Sequence, residues 1–229
     1  MYRKKRLVVI TGAGISAESG IKTFRDSDGT WEKYNVMDVA HIDGWRKNRQ
    51  LVLDFYNERR QQLKNVVPNS AHLDLVKLEK YYDVQIITQN VDDLHERAGS
   101  TKVLHLHGEL TKLRTFNTHK ISDWPENFEL VTNSCDENGE LLRPHIVWFG
   151  EDVSNMGYAR LMIMDAEIVI IIGTSLQVYP AAKLIDCIED RVPTYLIDPN
   201  KQFNLFNIKH IKENATVGME SLLKQLTYE

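Results

Sequence analysis

The residues of this chain that are best suited to chemistry follow short apolar segments typical of buried strands. His105 and His107 alternate along one such segment, so both side chains lie on the same face, and His107 directly precedes Gly108. Histidine is the side chain best suited to act as a general base near neutral pH. The sequence has no cluster with metal-ligand spacing around it, which favours a base over a metal ligand, and a purely structural histidine is the alternative.

Amide and carboxylate side chains follow a second strand-like segment, 84–88. Gln89, Asn90 and Asp92 offer donors and acceptors that suit an amide-bearing ligand. The structural alternative is a helix cap, since Asn90 or Asp92 can cap the turn that precedes Leu94.

Small polar residues follow two further strands. Gly173, Thr174 and Ser175 supply hydroxyls and N–H groups that suit a phosphate or a ribose, unless Ser175 simply caps a helix. Asp198 ends the last predicted strand and is placed to accept a hydrogen bond from a ribose hydroxyl.

A glycine turn follows the first strand, 7–10. Gly12, Gly14 and Ala17 have the G-x-G-x-x-A spacing of a dinucleotide-binding turn. In such a turn the first glycine permits the tight bend, the second lets backbone approach a pyrophosphate, and the alanine lets the next helix pack closely. An ordinary tight strand-to-helix turn is the alternative.

The residues after this turn argue against a dehydrogenase. A dehydrogenase has a second strand that ends in an acidic residue about 20 residues on, but the stretch 24–34 is polar and rich in turn-forming residues. It carries Arg25 and Asp26 where the second half of a nucleotide would lie. An arginine there can pair with phosphate or orient a carboxylate, and a solvated loop is the alternative.

The order of apolar and helical segments predicts the fold class. Helical patterns cover 70–81, 158–165 and 180–189 and lie between most of the predicted strands. The five predicted strands are 7–10, 84–88, 103–106, 167–172 and 194–197. This alternation predicts an α/β fold with a parallel sheet covered by helices on both faces.

Two segments interrupt the alternation and predict a second, smaller domain. One contains a loop and a long helix over roughly 44–64, and the other is polar with few apolar runs. We assign 28–66 and 111–142 to the small domain, and 1–27, 67–110 and 143–229 to the large one. Ligands of such folds bind at the carboxyl ends of the strands, which here is the cleft between the two domains.

Composition excludes several classes of protein. The 229 residues carry a net charge of −4 with a pI near 6.1, which argues against a general nucleic-acid binder. No apolar run reaches the roughly 20 residues of a membrane span, and no signal-peptide pattern is present. Two cysteines, Cys135 and Cys187, do not form a disulfide framework, so a cytoplasmic location is expected.

The motifs in combination are much more specific than any one of them. Gly-Ala-Gly-Ile-Ser, Phe-Arg, Thr-Gln-Asn-Val-Asp, His-Gly-Glu, Val-Trp-Phe-Gly-Glu and Gly-Thr-Ser occur in that order between residues 7 and 200. This series resembles the sirtuins, a family of NAD-dependent protein-lysine deacylases. The resemblance implies a Rossmann-like large domain and a small domain built from two insertions.

The resemblance also implies roles for individual residues. The NAD phosphate and ribose region would be lined by Gly12, Ala13, Gly14, Ser16, Phe24 and Arg25. Gln89, Asn90 and Asp92 match the ribose and nicotinamide pocket, and Gly173, Thr174 and Ser175 match the adenosine and phosphate side. The general base would be His107. The segment that pairs with substrate backbone around the acyl-lysine would contain Val147, Phe149, Gly150 and Glu151.

The reaction implied by the resemblance consumes NAD as a co-substrate. The acyl-amide oxygen attacks C1′ of the nicotinamide ribose, and nicotinamide leaves. His107 then takes a proton from the ribose hydroxyls, which lets one of them attack the imidate carbon, and water completes the release of free lysine and O-acyl-ADP-ribose. The amide is a poor nucleophile, so holding it close to C1′ must supply much of the rate.

This chain departs from the family pattern at two places. Sirtuins commonly hold a structural zinc with four cysteines of the small domain, but only Cys135 lies between residues 110 and 142. One thiolate cannot complete a tetrahedral site, so no zinc is expected, and Phe116, Trp124 and Phe128 are candidates to hold the insertion together by packing. Asp198 stands where the family often has Asn.

The predicted helix 44–64 bears on the acyl group. One apolar stripe at helical spacing contains Trp45, Val52, Tyr56, Arg59 and Leu63. Arg59 on this stripe is a candidate for binding an anion in a pocket, and the alternative is that it reaches solvent or pairs with Asp or Glu. Tyr56 and Arg59 resemble the Tyr-x-x-Arg signature of sirtuins that remove succinyl and malonyl groups, in which Arg59 would bind the distal carboxylate and Tyr56 would assist.

These observations predict an NAD-dependent lysine deacylase with deacetylase and desuccinylase capacity. Its partners would be acyl-lysine proteins, NAD and nicotinamide, with no nucleic acid and no membrane. One alternative is ADP-ribosyl transfer, in which the same cleavage of NAD ends on a protein side chain. The other is a catalytically silent NAD sensor, against which His107, Asn90 and Asp92 argue.

Overall fold

Two sheets organise the computed structural model of the chain, which describes residues 3–21, 34–174, 179–200 and 208–228. In chain order the strands of these residues are β1 (Arg6–Thr11), β2 (Asp83–Thr88), β3 (Val103–His105), β4 (Gly108–Thr115), β5 (Ile121–Asp123), β6 (Leu142–Ile146), β7 (Ile168–Ile172), β8 (Thr194–Ile197) and β9 (Ile208–Ile211). The helices are α1 (Gly14–Ala17), α2 (Val36–Val39), α3 (Ile42–Lys47), α4 (Arg49–Lys64), α5 (Ser70–Leu78), α6 (Leu94–Ala98), α7 (Met156–Met164) and α8 (Ala215–Tyr228), with a 3₁₀ helix at Ala181–Cys187. Within the described ranges, no helix combines the length and apolar character needed to cross a membrane.

The large sheet is entirely parallel, in the order β3-β2-β1-β7-β8-β9. Alternate residues of β1 enter different cores, because successive side chains of a strand point to opposite faces. Leu7 and Val9 pack in a cluster with α5 and α8, and Val8 and Ile10 pack in a second cluster with α7 and the 3₁₀ helix. Helices therefore cover both faces, as the sequence predicts.

A small lobe, defined here as helices α2–α4 with strands β4–β6, packs around its own core. Strands β5, β4 and β6 form an antiparallel sheet. The core includes Trp45, Trp124 and Trp148, with Phe116 and Phe128 packed against it. The three aromatic residues predicted to hold the second insertion together, Phe116, Trp124 and Phe128, thus all contribute to this core.

Side chains of α4 also tie down the loop that precedes β6. Arg60 is buried, stacks 4.8 Å from the ring centre of Trp124, and donates hydrogen bonds to four consecutive or nearby carbonyls. Those carbonyls, at 2.6–3.2 Å, belong to Trp124, Pro125, Glu126 and Phe128. Asn57 adds a reciprocal pair with the backbone of Leu130, at 2.8 and 3.2 Å. Polar contacts therefore supplement the apolar packing of the lobe.

Several sequence predictions need correction. The helix predicted over 44–64 is two helices, because Asn48 has φ −150° and ψ 84° and its side chain caps the N–H of Leu51. Trp45 therefore lies on α3, outside the stripe of α4. The polar insertion 111–142, which has few apolar runs, supplies most of the small sheet. The pattern at 180–189 forms a 3₁₀ helix rather than an α-helix, and strand β9 was not predicted.

Candidate active site

Three loops meet at the carboxyl ends of β2, β1 and β7, three adjacent strands of the large sheet. The N–H of Gly14 donates to the carbonyl of Gly173 at 2.8 Å. The Gln89 amide donates to Oγ1 of Thr174 at 3.0 Å, and the Asn90 amide donates to the carbonyl of Gly12 at 3.2 Å. Hydrogen bonds thus connect the three loops at the edge where parallel sheets bind ligands.

The two glycines of the first turn are required by the packing of one loop on another. A Cβ on Gly12 would lie 2.7 Å from Cβ of Thr174, and a Cβ on Gly14 would lie 2.6 Å from Cα of Gly173. Gly173 itself has φ +59°, a left-handed conformation that favours glycine. The predicted close packing at Ala17 is wrong, because Ala17 is exposed and α1 ends there after four residues.

A polar cluster lies directly beneath the first turn. The hydroxyl of Ser16 donates to Oδ2 of Asp92 at 3.0 Å and accepts from the amide of Asn90 at 3.2 Å. All three side chains are buried. Burial raises the pKa of Asp92, opposed by the N–H of Leu94 and the hydroxyl of Ser16. Asp92 does accept the predicted hydrogen bond from Leu94, so its capping role and its place in the cluster coexist.

His107 is held in the orientation that a general base requires. Its Nδ1 lies 2.9 Å from the carbonyl of Gln89, an acceptor, so Nδ1 carries the proton and Nε2 keeps its lone pair in the neutral ring. Burial lowers the pKa of His107, and the hydrogen bond to Gln89 opposes this shift. The neutral, basic form is therefore the prevalent one at neutral pH. We call Ser16, Asn90, Asp92 and His107 the strand-end cluster.

His105 contacts the neighbouring carbonyl of the same loop. Its Nδ1 lies 3.0 Å from the carbonyl of Asn90 and its Nε2 lies 2.9 Å from Glu96. Burial alone would lower the pKa of His105, but Glu96 and the Asn90 carbonyl outweigh it, and the pKa is raised. The two histidines predicted to share a face therefore both reach the loop after β2, and sequence reasoning gave no role to His105.

Tyr56 and Arg59 lie on the face of α4 that is turned toward the core and the site. Tyr56 is 3% exposed, and burial raises its pKa to about 12, so its hydroxyl is protonated at neutral pH. Arg59 lies over the ring of Phe55 at 5.5 Å. Burial lowers the pKa of Arg59, and the negative charges of Asp92 and Glu58 act against that shift. Arg59 therefore lies within electrostatic reach of the strand-end cluster.

The hydroxyl of Tyr56 is held by a residue that the sequence did not single out. Trp148 donates its indole N–H to the Tyr56 hydroxyl oxygen at 2.9 Å. Arg143 packs on the face of Trp148, with its Cζ 3.4 Å from the ring centre. Arg143 is in turn bound by both oxygens of Glu151, at 2.6 and 2.9 Å. We call Tyr56, Arg59 and Trp148 the acyl face.

The segment predicted to pair with substrate backbone is already paired along part of its length. The N–H of Val147 donates to the backbone carbonyl of His107. Phe149 donates its N–H to the carbonyl of Ala40 and accepts from the N–H of Ile42, and both partners belong to the first insertion. The carboxylate of Glu151 is occupied by Arg143 and by Arg114 at 2.9 Å. Phe149 is 41% exposed, and Gly150 has φ +86°.

Other predicted residues lie at the edges of the site or outside the described ranges. Thr174 is buried beside Gln89, and Asp198 is half-buried and accepts a hydrogen bond from the N–H of Asn200. Phe24, Arg25 and Ser175 lie outside the residues that the structure describes. In the described part of the chain, no group of three or more His, Cys, Asp or Glu side chains is arranged to hold a metal ion.

The donor set of the strand-end cluster fits a dinucleotide with an amide-bearing base. Asn90 and Asp92 offer amide and carboxylate groups under the glycine turn, and His107 offers a free lone pair. These three residues, with Ser16, are the ones that would hold the ribose and nicotinamide half. The loops at Gly12 and Gly173 would contact the rest of the dinucleotide.

Comparison with known proteins identifies close relatives of this chain. A model of the Sir2 family matches residues 12–180. An NAD-dependent protein deacylase of Helicobacter pylori is 52% identical over 225 residues, which cover 97% of each chain. A mutant Sir2 homologue solved with ADP-ribose superposes with a TM-score of 0.90 at 35% identity, over 98% of this chain and 93% of that one. A Sir2 homologue solved with NAD gives a TM-score of 0.89 at 35% identity, over 98% and 90% of the two chains.

Proposed function

The chain belongs to the Sir2 family and is an NAD-dependent protein deacylase, and we propose that its lysine substrates carry acetyl groups and also succinyl or malonyl groups. The products are nicotinamide, O-acyl-ADP-ribose and free lysine. The observation that carries deacylation is the hydrogen bond from Nδ1 of His107 to the Gln89 carbonyl, which leaves Nε2 as a base at the end of the strand.

The strand-end cluster positions the reactants and moves one proton. NAD supplies an electrophilic ribose carbon and the hydroxyls that receive the acyl group. Nε2 of His107 accepts a proton from such a hydroxyl, and its lowered pKa keeps the ring neutral for that purpose. Asn90 and Asp92 are fixed by Ser16 and the Gly12 carbonyl, so they orient the ribose and nicotinamide without reorganising.

The acyl face supports the proposal of an acidic acyl group. A carboxylate in a mostly apolar pocket is costly unless it is paired. Arg59 supplies a guanidinium one helical turn from Tyr56, and Tyr56 supplies a protonated hydroxyl. Both groups can hydrogen-bond a distal carboxylate, and neither is needed by an acetyl group.

We also propose residues for the rest of the NAD site. It would be lined by Gly12, Ala13, Gly14, Gln89, Gly173, Thr174 and Asp198, together with Phe24, Arg25 and Ser175. Val147, Phe149, Gly150 and Glu151 would flank the substrate peptide, and we propose that Glu151 contributes by holding Arg143. We keep the division into a large domain of 1–27, 67–110 and 143–229 and a small one of 28–66 and 111–142, although β4 and β6 extend a few residues across those limits. The cytoplasmic location stays a prediction.

The test compares acetyl-, succinyl- and malonyl-lysine versions of one peptide in the presence of NAD. Nicotinamide release and the mass of the peptide are followed together. In deacylation, the peptide mass falls by the mass of the acyl group as nicotinamide is released. A gain of one ADP-ribose unit would favour transferase activity, and no nicotinamide release with any peptide would favour a sensor. Removal of acetyl alone would refute the acidic-acyl part of the proposal.

A further inference from the structure

A continuous set of contacts connects a buried ion pair to the hydroxyl of Tyr56. Glu151 binds both terminal nitrogens of Arg143, which also donates to the carbonyl of Ile146 at 2.9 Å. The guanidinium lies flat against Trp148, and the Trp148 indole donates to Tyr56. Arg143 is 1% and Trp148 2% exposed, so both side chains are enclosed by the protein.

The indole determines which hydrogen-bonding role the Tyr56 hydroxyl can take. An indole N–H only donates, so at 2.9 Å the phenol oxygen is its acceptor. The phenol proton is then directed away from Trp148. Since the hydroxyl stays protonated at neutral pH, its proton remains for an acceptor such as a carboxylate.

The cation on the ring face holds the indole in place. A guanidinium over an aromatic face is attracted to the ring, most strongly to tryptophan. Arg143 is itself fixed by three hydrogen bonds, to Glu151 and to Ile146. The plane of Trp148, and with it the direction of its N–H, is therefore set by Arg143 on β6 and Glu151 in the following loop, whereas Tyr56 lies on α4.

We propose that Trp148 is a specificity-determining positioning residue, whose N–H fixes the Tyr56 hydroxyl as a donor for the distal carboxylate of an acidic acyl-lysine. The inference depends on the proposed function, in which Tyr56 and Arg59 receive that carboxylate. An acetyl group has no such acceptor, so the effect of Trp148 is confined to acidic acyl groups. Arg143 and Glu151 act through Trp148.

The test is Trp148→Phe, which keeps an aromatic ring under Arg143 and removes the N–H. We expect kcat/KM for a succinyl-lysine peptide to fall about 3- to 10-fold, mainly through KM, because the hydrogen bond from Tyr56 to the distal carboxylate is weakened when Trp148 no longer orients the hydroxyl. The value for the acetyl-lysine peptide should stay within about twofold. Trp45→Phe is the matched control: Trp45 packs on Trp148 at 5.2 Å, but its indole nitrogen has no hydrogen-bond partner among the described residues.

A double-mutant cycle with Tyr56→Phe separates positioning from a merely structural role. If Trp148 acts through the Tyr56 hydroxyl, Trp148→Phe should change the succinyl-to-acetyl ratio in the wild type and leave it unchanged in Tyr56→Phe. An equal loss on both peptides, or the same change of ratio in both backgrounds, would overturn the inference alone. If Tyr56→Phe and Arg59→Met also leave the ratio unchanged, the proposed acyl specificity fails with it.

Discussion

At the strand-end cluster, polar side chains are held by backbone carbonyls and by one another, whereas at the acyl face they are held by aromatic rings and a buried ion pair. His107, Asn90 and Ser16 each contact a group within the loops that end β1 and β2. Tyr56 depends on Trp148, which is 92 residues away in the chain. The difference indicates a division of labour: the first region should serve every acyl group alike, and the second should discriminate among them.

The largest effect should come from the strand-end cluster. We expect His107→Ala to lower deacylation of acetyl and succinyl peptides by the same factor, about 10²–10⁴, because loss of a general base typically costs that much. The purified variant should keep its melting temperature and its affinity for NAD. Steady-state rates on both peptides, with NAD binding by calorimetry, provide the measurement.

Two controls sharpen this prediction. His119→Ala removes an exposed histidine of the small lobe and should leave both rates unchanged. Because burial lowers the pKa of His107, its basic form is lost only at acidic pH, so the acid limb of kcat/KM should lie below the ordinary histidine pKa of about 6.5. Near wild-type deacylation by His107→Ala would refute the assignment of the base.

The acyl face should produce a large but selective effect. We expect Arg59→Met to lower desuccinylation far more than deacetylation, since losing one partner of a desolvated charge pair costs on the order of 2–5 kcal/mol. An acetyl group has no carboxylate and should lose little. The measurement is the ratio of kcat/KM for succinyl and acetyl versions of one peptide.

Arg49→Met is the matched control for Arg59. Arg49 lies on the same helix and also stacks on an aromatic ring, 5.4 Å from the centre of Trp45, but near the other end of α4. It should leave the ratio unchanged. If Arg59→Met leaves the ratio unchanged as well, Arg59 is a structural arginine, and deacylation stands without the preference for acidic acyl groups.

The two regions also differ in how far the sequence predicts them. The sequence predicts that the strand-end residues lie together, because each motif comes just after an apolar segment. The carboxyl ends of parallel strands meet at one edge of the sheet. Five of the six strands of the large sheet were predicted for the same reason. Strand β9 was not, since Ile208–Ile211 contains Lys and His at its exposed positions and lacks an unbroken apolar run.

The acyl face and the small lobe depend on contacts that no local pattern reports. Tyr56 and Arg59 were found by helical spacing and resemblance, but the roles of Trp148 and Arg143 arise only when α4 packs on the segment after β6. The break at Asn48 was missed because the apolar stripe continues across it, although Asn is a favoured helix N-cap. The sequence singles out Gly12 and Gly14, but it does not show that the loop at Gly173 and Thr174 packs against both of them.

Stability of the small lobe should respond to a third kind of contact. We expect Arg60→Met to destabilise the protein by about 1–3 kcal/mol, because it leaves buried carbonyls of Trp124 and its neighbours without a donor. For a chain of this size, each kcal/mol corresponds to a shift in Tm of about 2–4 °C. Thermal unfolding provides the measurement, and the succinyl-to-acetyl ratio of the folded enzyme should not change.

Lys64→Met is the control for Arg60. Lys64 lies one turn further along α4 and also donates to the carbonyl of Glu126, at 2.9 Å, but it is exposed. Solvent can replace its hydrogen bond, so its loss should change Tm by less than the loss of Arg60. Equal shifts for the two variants would show that the Arg60 contacts do not hold the lobe together.

The smallest expected effect is that of a strong chelator. The small lobe holds together through a core that includes Trp45, Trp124 and Trp148, and through the hydrogen bonds of Arg60 and Asn57. Its sequence offers one cysteine, Cys135, where a closed zinc site needs four ligands. Folding of zinc-dependent domains is coupled to the metal, so chelation unfolds them.

We therefore expect the purified protein to keep the same Tm with and without chelator and to contain no stoichiometric zinc, whereas Arg60→Met lowers Tm in both conditions. About one zinc per chain by elemental analysis, or a fall in Tm on chelation, would refute this prediction and would make the contacts of Arg60 secondary to a metal.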